Sequence, residues 1–198
     1  MLPVYFQLRA ASWLRPLSSN VRRHEMLDTV FRSSVPIDAI EYAGYVLVHC
    51  AAIADVNRNG ELICPFAVVT DPNGRHVVDF ESTSQEEAIS KGWATLSKAK
   101  QRKVWWAFGR EGIFREPDGK GTDVLTVTVW IPRMRYHHSF THRFGRAADQ
   151  TLYLIGDTEV FKHKNECAES VEHWDEAALV RGIKSHPQGN RWTKWRAQ

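Results

Sequence analysis

The sequence predicts an α+β fold: two helices packed on a mainly antiparallel six-stranded sheet, in the order α-β-β-α-β-β-β-β, with polar N- and C-terminal arms. Three observations predict it. One stretch near residue 40 has helical periodicity and is apolar on nearly all sides. A second stretch carries a capping signature followed by a one-sided apolar stripe. The remaining apolar segments alternate with period two and follow one another through short turns, with no βαβ crossover pattern among them.

The first helix starts near Pro36, whose fixed φ suits an opening turn, and Ser33 and Ser34 can cap it. Asp38 and Glu41 complement the positive end of the helix dipole. Ile37, Ile40, Gly44, Leu47, Ala51 and Ala54 form one stripe, and Tyr42, Tyr45, Val46, His49, Cys50 and Ile53 form another. A helix apolar on most of its circumference belongs in the interior, with the sheet on one side and something else on the other. The Asp55–Gly60 run then predicts a left-handed stop.

Leu62 to Thr70 reads as a strand, and Pro65 within it predicts an edge position or a bulge. Asp71-Pro72-Asn73-Gly74 is a turn, and His76, Val78 and Phe80 alternate on the returning strand. Thr83 and Ser84 with Glu86 and Glu87 make a capping box for the second helix. Ala88, Ile89, Gly92, Trp93, Leu96 and Ala99 line its buried face.

A meander follows. Val104–Phe108 is aromatic and β-branched, and Gly109 and Gly112 suggest a bend before Ile113 and Phe114. Leu125, Val127, Val129 and Ile131 give the cleanest alternation in the chain. Tyr136–Phe144 and Thr151–Ile155 supply the last two strands. The organisation expected is a basic arm over 1–35, a core domain over 36–156, and a polar extension over 157–198 with one helix from Ala168 to about Lys184.

Charge narrows the functional classes. Residues 1–35 hold five Arg against Glu25 and Asp28, whereas 36–156 and 157–198 are each balanced, so the net +3 sits in the N-terminal arm. That is not the electropositive body of a dedicated nucleic-acid binder. Residues 1–24 have the Arg- and Ser-rich, acid-free composition of a transit peptide, but a floppy or loosely docked arm, or an in-frame extension upstream of a shorter protein starting at Met26, is the preferred reading. Three cysteines without CxxC spacing predict no disulfide scaffold and a reducing, cytoplasmic setting. The longest uncharged run, Tyr42–Ala54, is too short for a membrane span, so no membrane partner is expected.

No spacing identifies a reaction, and no cofactor is expected. His137, His138 and His142 tempt a metal reading, but neighbours on a strand point to opposite faces. His138 and His142 share a face yet stand about 13 Å apart, too far for one ion. The same segment reads better as an anion-binding strip. From Arg133 to Arg146 it holds Arg133, Arg135, Arg143, Arg146 and three histidines with no acid, interleaved with Tyr136, Phe140 and Phe144. Its bland counterpart is a strand neutralised by neighbouring carboxylates such as Asp79, Glu81 and Glu111. The C-terminal Arg191-Trp192-Thr193-Lys194-Trp195-Arg196 run suits stacking or a partner groove, or docking of Trp192 and Trp195 on their own domain.

Glu61, Asp79, Glu81, Glu111 and Asp123 fall near strand ends without forming a diagnostic pair, and His49 lies inside the buried helix, where a histidine must be paired or neutral. Three roles follow. The first is a non-catalytic protein-interaction module, with a protein partner or a second copy, motivated by aromatics expected at the surface (Trp130, Trp192, Trp195). The second is nucleic-acid or polyanion binding through the Arg133–Arg146 strip, with His137 among its contacts. The third is a small-molecule enzyme with a pocket between the first helix and the sheet.

Overall fold

The computed structural model describes residues 35–57, 61–116, 119–164 and 167–197. The basic arm and the Ser33–Ser34 cap therefore lie outside the described residues, apart from Val35. Among the described residues there are four helices and seven strands, the strands forming one sheet. They are α1 Ile37–Val56, β1 Phe66–Asp71, β2 Gly74–Asp79, α2 Gln85–Gln101, β3 Trp105–Arg115, β4 Gly121–Trp130, β5 His138–Arg146, β6 Leu152–Lys164, β7 Cys167–Ser170, α3 Glu176–Ser185 and α4 Asn190–Arg196. All strands pair antiparallel in the order β2-β1-β3-β4-β5-β6-β7.

The α+β class and the antiparallel sheet follow the sequence, while the count of two helices and six strands is corrected to four and seven. The additions come from the C-terminal region. An expected boundary after 156 falls inside β6, which runs on to Lys164. Ala168–Ser170, expected as the start of a helix, belong to β7 and pair with β6 instead. The helix starts only after Asp175, whose carboxylate accepts the Ala178 N–H at 2.9 Å.

The layers follow from the alternation. One sheet face carries Phe66, Val68, Ala107, Leu125, Val127, Val129, Phe140 and Leu152, all fully or almost fully buried. Helix α1 lies across this face. Gly109 is the reason they can meet closely: a Cβ there would stand 2.7 Å from Cys50 Sγ. Gly109 thus serves contact rather than the expected bend, and β3 runs through it unbroken. α3 covers the outer side of α1, and α4 lies beside β6. Although α1 is long and apolar enough to cross a membrane, its circumference is occupied by sheet and helix. At its end Asn57 has φ −72°; residues 58–60, with the Asn59 and Gly60 of the expected left-handed stop, lie outside the described residues.

α2 packs on the opposite face, against β3. Trp93 meets Phe108 and Trp106 edge-on at 5.2 and 6.0 Å. Pro65 sits just before β1, which is flanked by β2 and β3 and is not an edge. The Ser84 half of the capping box forms, its Oγ accepting the Glu87 N–H at 3.2 Å, while the Glu87 carboxylate accepts from the Thr83 hydroxyl at 2.9 Å. Ser84→Ala should therefore cost about 1 kcal/mol in urea unfolding. An unchanged midpoint would show that the cap contributes nothing.

Candidate anion-binding site

The half of the α2-side face formed by β4, β5 and β6 has no described helix over it. Register brings polar side chains into rows there. Arg110, Thr126, Thr141 and Glu159 form one row across β3 to β6, and Thr128 and Ser139 lie in the next. The hydroxyls are buried and bonded to one another. Thr128 Oγ1 and Ser139 Oγ are 2.7 Å apart, Ser139 Oγ and His163 Nε2 are 2.7 Å apart, and Thr126 and Thr141 face each other at 3.5 Å.

Two guanidinium groups enter this face with different company. Arg143 pairs with Glu159 at 2.5 Å and Glu116 at 3.3 Å, and lies 4.5 Å over the Phe114 ring. Its charge is more than met. Among the described residues Arg110 has no carboxylate partner. Its one hydrogen bond is a long 3.5 Å contact to the Glu111 carbonyl, and its Nε, buried, has no acceptor. Burial alone pushes its pKa down, with no neighbouring charge opposing. The side chain lies back over Gly112: a Cβ at 112 would touch its Nη1 at 3.2 Å. Glycine at 112 thus makes room for the guanidinium against the strand.

Histidines flank the arginines. His137 stacks on His163 at 4.8 Å and contacts Trp93 at 5.5 Å. Burial, helped by His163, Lys100 and His138, pushes His137 down to about 4; burial and Arg110 lower His163. Both are neutral at pH 7, so the free positive charge of this surface is that of Arg110.

The linear strip read from Arg133 to Arg146 is thus split. Arg133 projects from the β4–β5 turn to pair with Asp38 of α1. Arg135 lies over Tyr136 at 5.2 Å. Arg146 points to the opposite face, where it donates to Ala54 O at 2.7 Å and finishes α1. Of the binding residues expected in the strip, His137 and Arg143 reach the open face, alongside Ser139 and Thr141. Its neutralisers among the described residues are Asp38, Glu116 and Glu159 rather than Asp79, Glu81 or Glu111.

The aromatics expected at the surface are buried: Trp130 is 4% exposed, Trp192 6% and Trp195 3%. Trp192 and Trp195 sit three apart on α4 and dock on their own domain, with Trp192 edge-on to His142 at 5.1 Å. The strand histidines, expected at the surface or hydrogen-bonded, divide. His142 bonds Thr158 at 2.9 Å, while His138 is buried with neither ring nitrogen in a well-formed hydrogen bond, its nearest acceptor being the Tyr136 backbone.

His49 is a paired histidine. The Gln188 N–H donates to His186 Nδ1 at 3.0 Å, so the His186 proton resides on Nε2 and is donated to His49 Nδ1 at 3.3 Å. The space between α1 and the sheet, where a substrate pocket was expected, is filled by Cys50, Phe66 and Leu47. Glu111 is buried on that filled side, and burial raises its pKa.

Arg110 escaped the sequence reading because it stands alone between glycines. The available signal was its place in the alternation: it shares a strand face with Trp106 and Phe108, where a charged residue is unusual. No family model matches the chain, and neither curated proteins nor solved structures give a significant match.

Proposed function

We propose that this protein is a non-catalytic binding module that receives one anionic group, a carboxylate or a phosphate, against the open face of its sheet at Arg110. The observation that carries the reading is the half-buried Arg110 guanidinium with no counter-charge. Desolvating a cation without a partner is costly, and buried arginines are ordinarily paired. An anion bound from solution supplies the missing partner through a planar fork of donors. Thr126 and Thr141, in the same row, provide hydroxyls beside it.

The ligand is small and singly charged in this reading. Glu116 and Glu159 are both taken up by Arg143, which leaves Arg110 as a single guanidinium rather than the row of cations that a polyanion needs along its length. The protein-interaction reading loses its motive once Trp130, Trp192 and Trp195 are buried.

The test is thermal unfolding at pH 7.5 with sodium phosphate or sodium acetate, against sodium chloride at equal ionic strength. The wild type should gain melting temperature with one of the two anions, by about 2.7 kcal/mol of stabilisation at a hundred times Kd. Arg110→Met should lose that response and, without anion, be more stable than wild type by about 1 kcal/mol or more, because an unpaired charge has been removed. A variant that is destabilised and still responds to phosphate like the wild type would overturn the proposal.

A further inference from the structure

The edge of the sheet at β2 has the geometry of a self-complementary strand, and we infer that it pairs antiparallel with β2 of a second copy about a twofold axis at Val77. β2 is outermost, and five of its six residues are exposed, Val77 at 47%. It carries no proline, lysine or bulge, the devices that usually blunt an edge. The other edge, β7, is four residues long.

Hydrogen bonding fixes which groups point outward. Phe80 N–H donates to Pro65 O at 2.9 Å, so the pairs bonded to β1 alternate from there through Val78–Ala67 and His76–Val69. The N–H and C=O of Arg75, Val77 and Asp79 therefore face away from the sheet. In an antiparallel copy centred on Val77, Val77 meets itself and Arg75 meets Asp79. All three outward-facing residues then exchange both backbone bonds with outward-facing partners. A register displaced by one residue sets Arg75 against Val78, whose backbone is already committed to β1.

The side chains agree with the backbone. Arg75, Val77 and Asp79 lie on the α1 side of the sheet, since they share rows with Thr70, Val68 and Phe66. Arg75 stacks 4.2 Å over the Tyr45 ring, and neither it nor Asp79 has an ion pair within the protomer among the described residues. Across the axis each arginine would face an aspartate, and the pair occurs twice by symmetry. The match commits the edge to a second copy of this chain rather than to an unrelated peptide. The two seven-stranded sheets become one.

Edge pairing alone buries less than a standard interface, so sedimentation velocity over about 5 to 500 µM is the suitable measurement. The wild type should pass from monomer to dimer in that range. Val77→Lys sets two ammonium groups face to face and should weaken dimerisation at least tenfold, with an unchanged circular dichroism spectrum. R75D and D79R each bring like charges together and should weaken it as well. The double variant R75D/D79R exchanges the charges and should recover the dimer. A wild type that stays monomeric, a dimer indifferent to V77K, or a double variant no tighter than either single one would overturn the inference. None of these positions lies on the open face, so its anion response is a separate readout.

Discussion

Gly182→Ala should destabilise the protein by at least about 3 kcal/mol, at the upper end of what overpacking costs. α1 and α3 cross with their backbones in contact, and Gly44 and Gly182 are the residues that allow it. A Cβ at 182 would stand 2.7 Å from the Glu41 carbonyl carbon and closer still to its oxygen; one at 44 would stand 3.0 Å from the Ile183 nitrogen. These obstacles are backbone atoms in the middle of helices, which cannot rotate aside as a side-chain end can. The helices must separate, and Ala178, Leu179 and Ile183, all at most 5% exposed, lose their seat. Alanine's better helix propensity returns about 1 kcal/mol at most. The Glu41–Arg181 pair at 2.7 Å is exposed and offsets little. Urea unfolding followed by circular dichroism gives the number. A midpoint equal to or above that of the wild type would mean that α3 does not dock as described.

How much of this was legible beforehand depends on the range over which each cause acts. α1 was legible because its apolar residues cover the whole circumference, and only an interior accommodates such a helix. α2 was legible because its cap and stripe are local. The C-terminal elements were not, because β6 and β7 carry many half-exposed polar residues and their pairing is set by the β6 edge rather than by their own alternation. Trp192 and Trp195 were visible as a spacing of three that allowed both docking on their own domain and exposure at the surface, and the packing selects docking. In the candidate site, period two could have separated Arg143 from Arg146, since an odd and an even residue on one strand face opposite ways. Pro132, which closes the preceding strand, likewise marked the turn that carries off Arg133 and Arg135 ahead of the strand expected from Tyr136. Arg110 was beyond reach for another reason: a lack of counter-charge is a property of the surroundings, not of a motif.

Stability should fall steeply as pH drops from 6.5 to about 4. His137, His138, His142 and His186 are all pushed down to about 4, in each case chiefly by burial. In the unfolded chain each titrates near 6.5. Above pH 6.5 they are neutral in both states, and the folded protein has its full stability. Between 6.5 and 4 the unfolded chain takes up protons that the folded one refuses, so acid favours unfolding, and below about 4 the loss is complete. His138, His142 and His186 are at most 7% exposed. Each should remove about 2 kcal/mol at pH 5, together a large part of the 5–15 kcal/mol typical of a domain. Glu111 works against this trend, because its raised pKa lets the folded state take a proton first on acidification, but it is one group against several. His138→Leu isolates the cause. His138 has no well-formed hydrogen bond to lose, so the variant should match or exceed the wild type at pH 8 and exceed it by about 2 kcal/mol at pH 5. The measurement is the urea midpoint at pH 8, 7, 6 and 5. A midpoint that holds level down to pH 5, or a His138→Leu profile parallel to the wild type, would show that these imidazoles are hydrated in the folded protein.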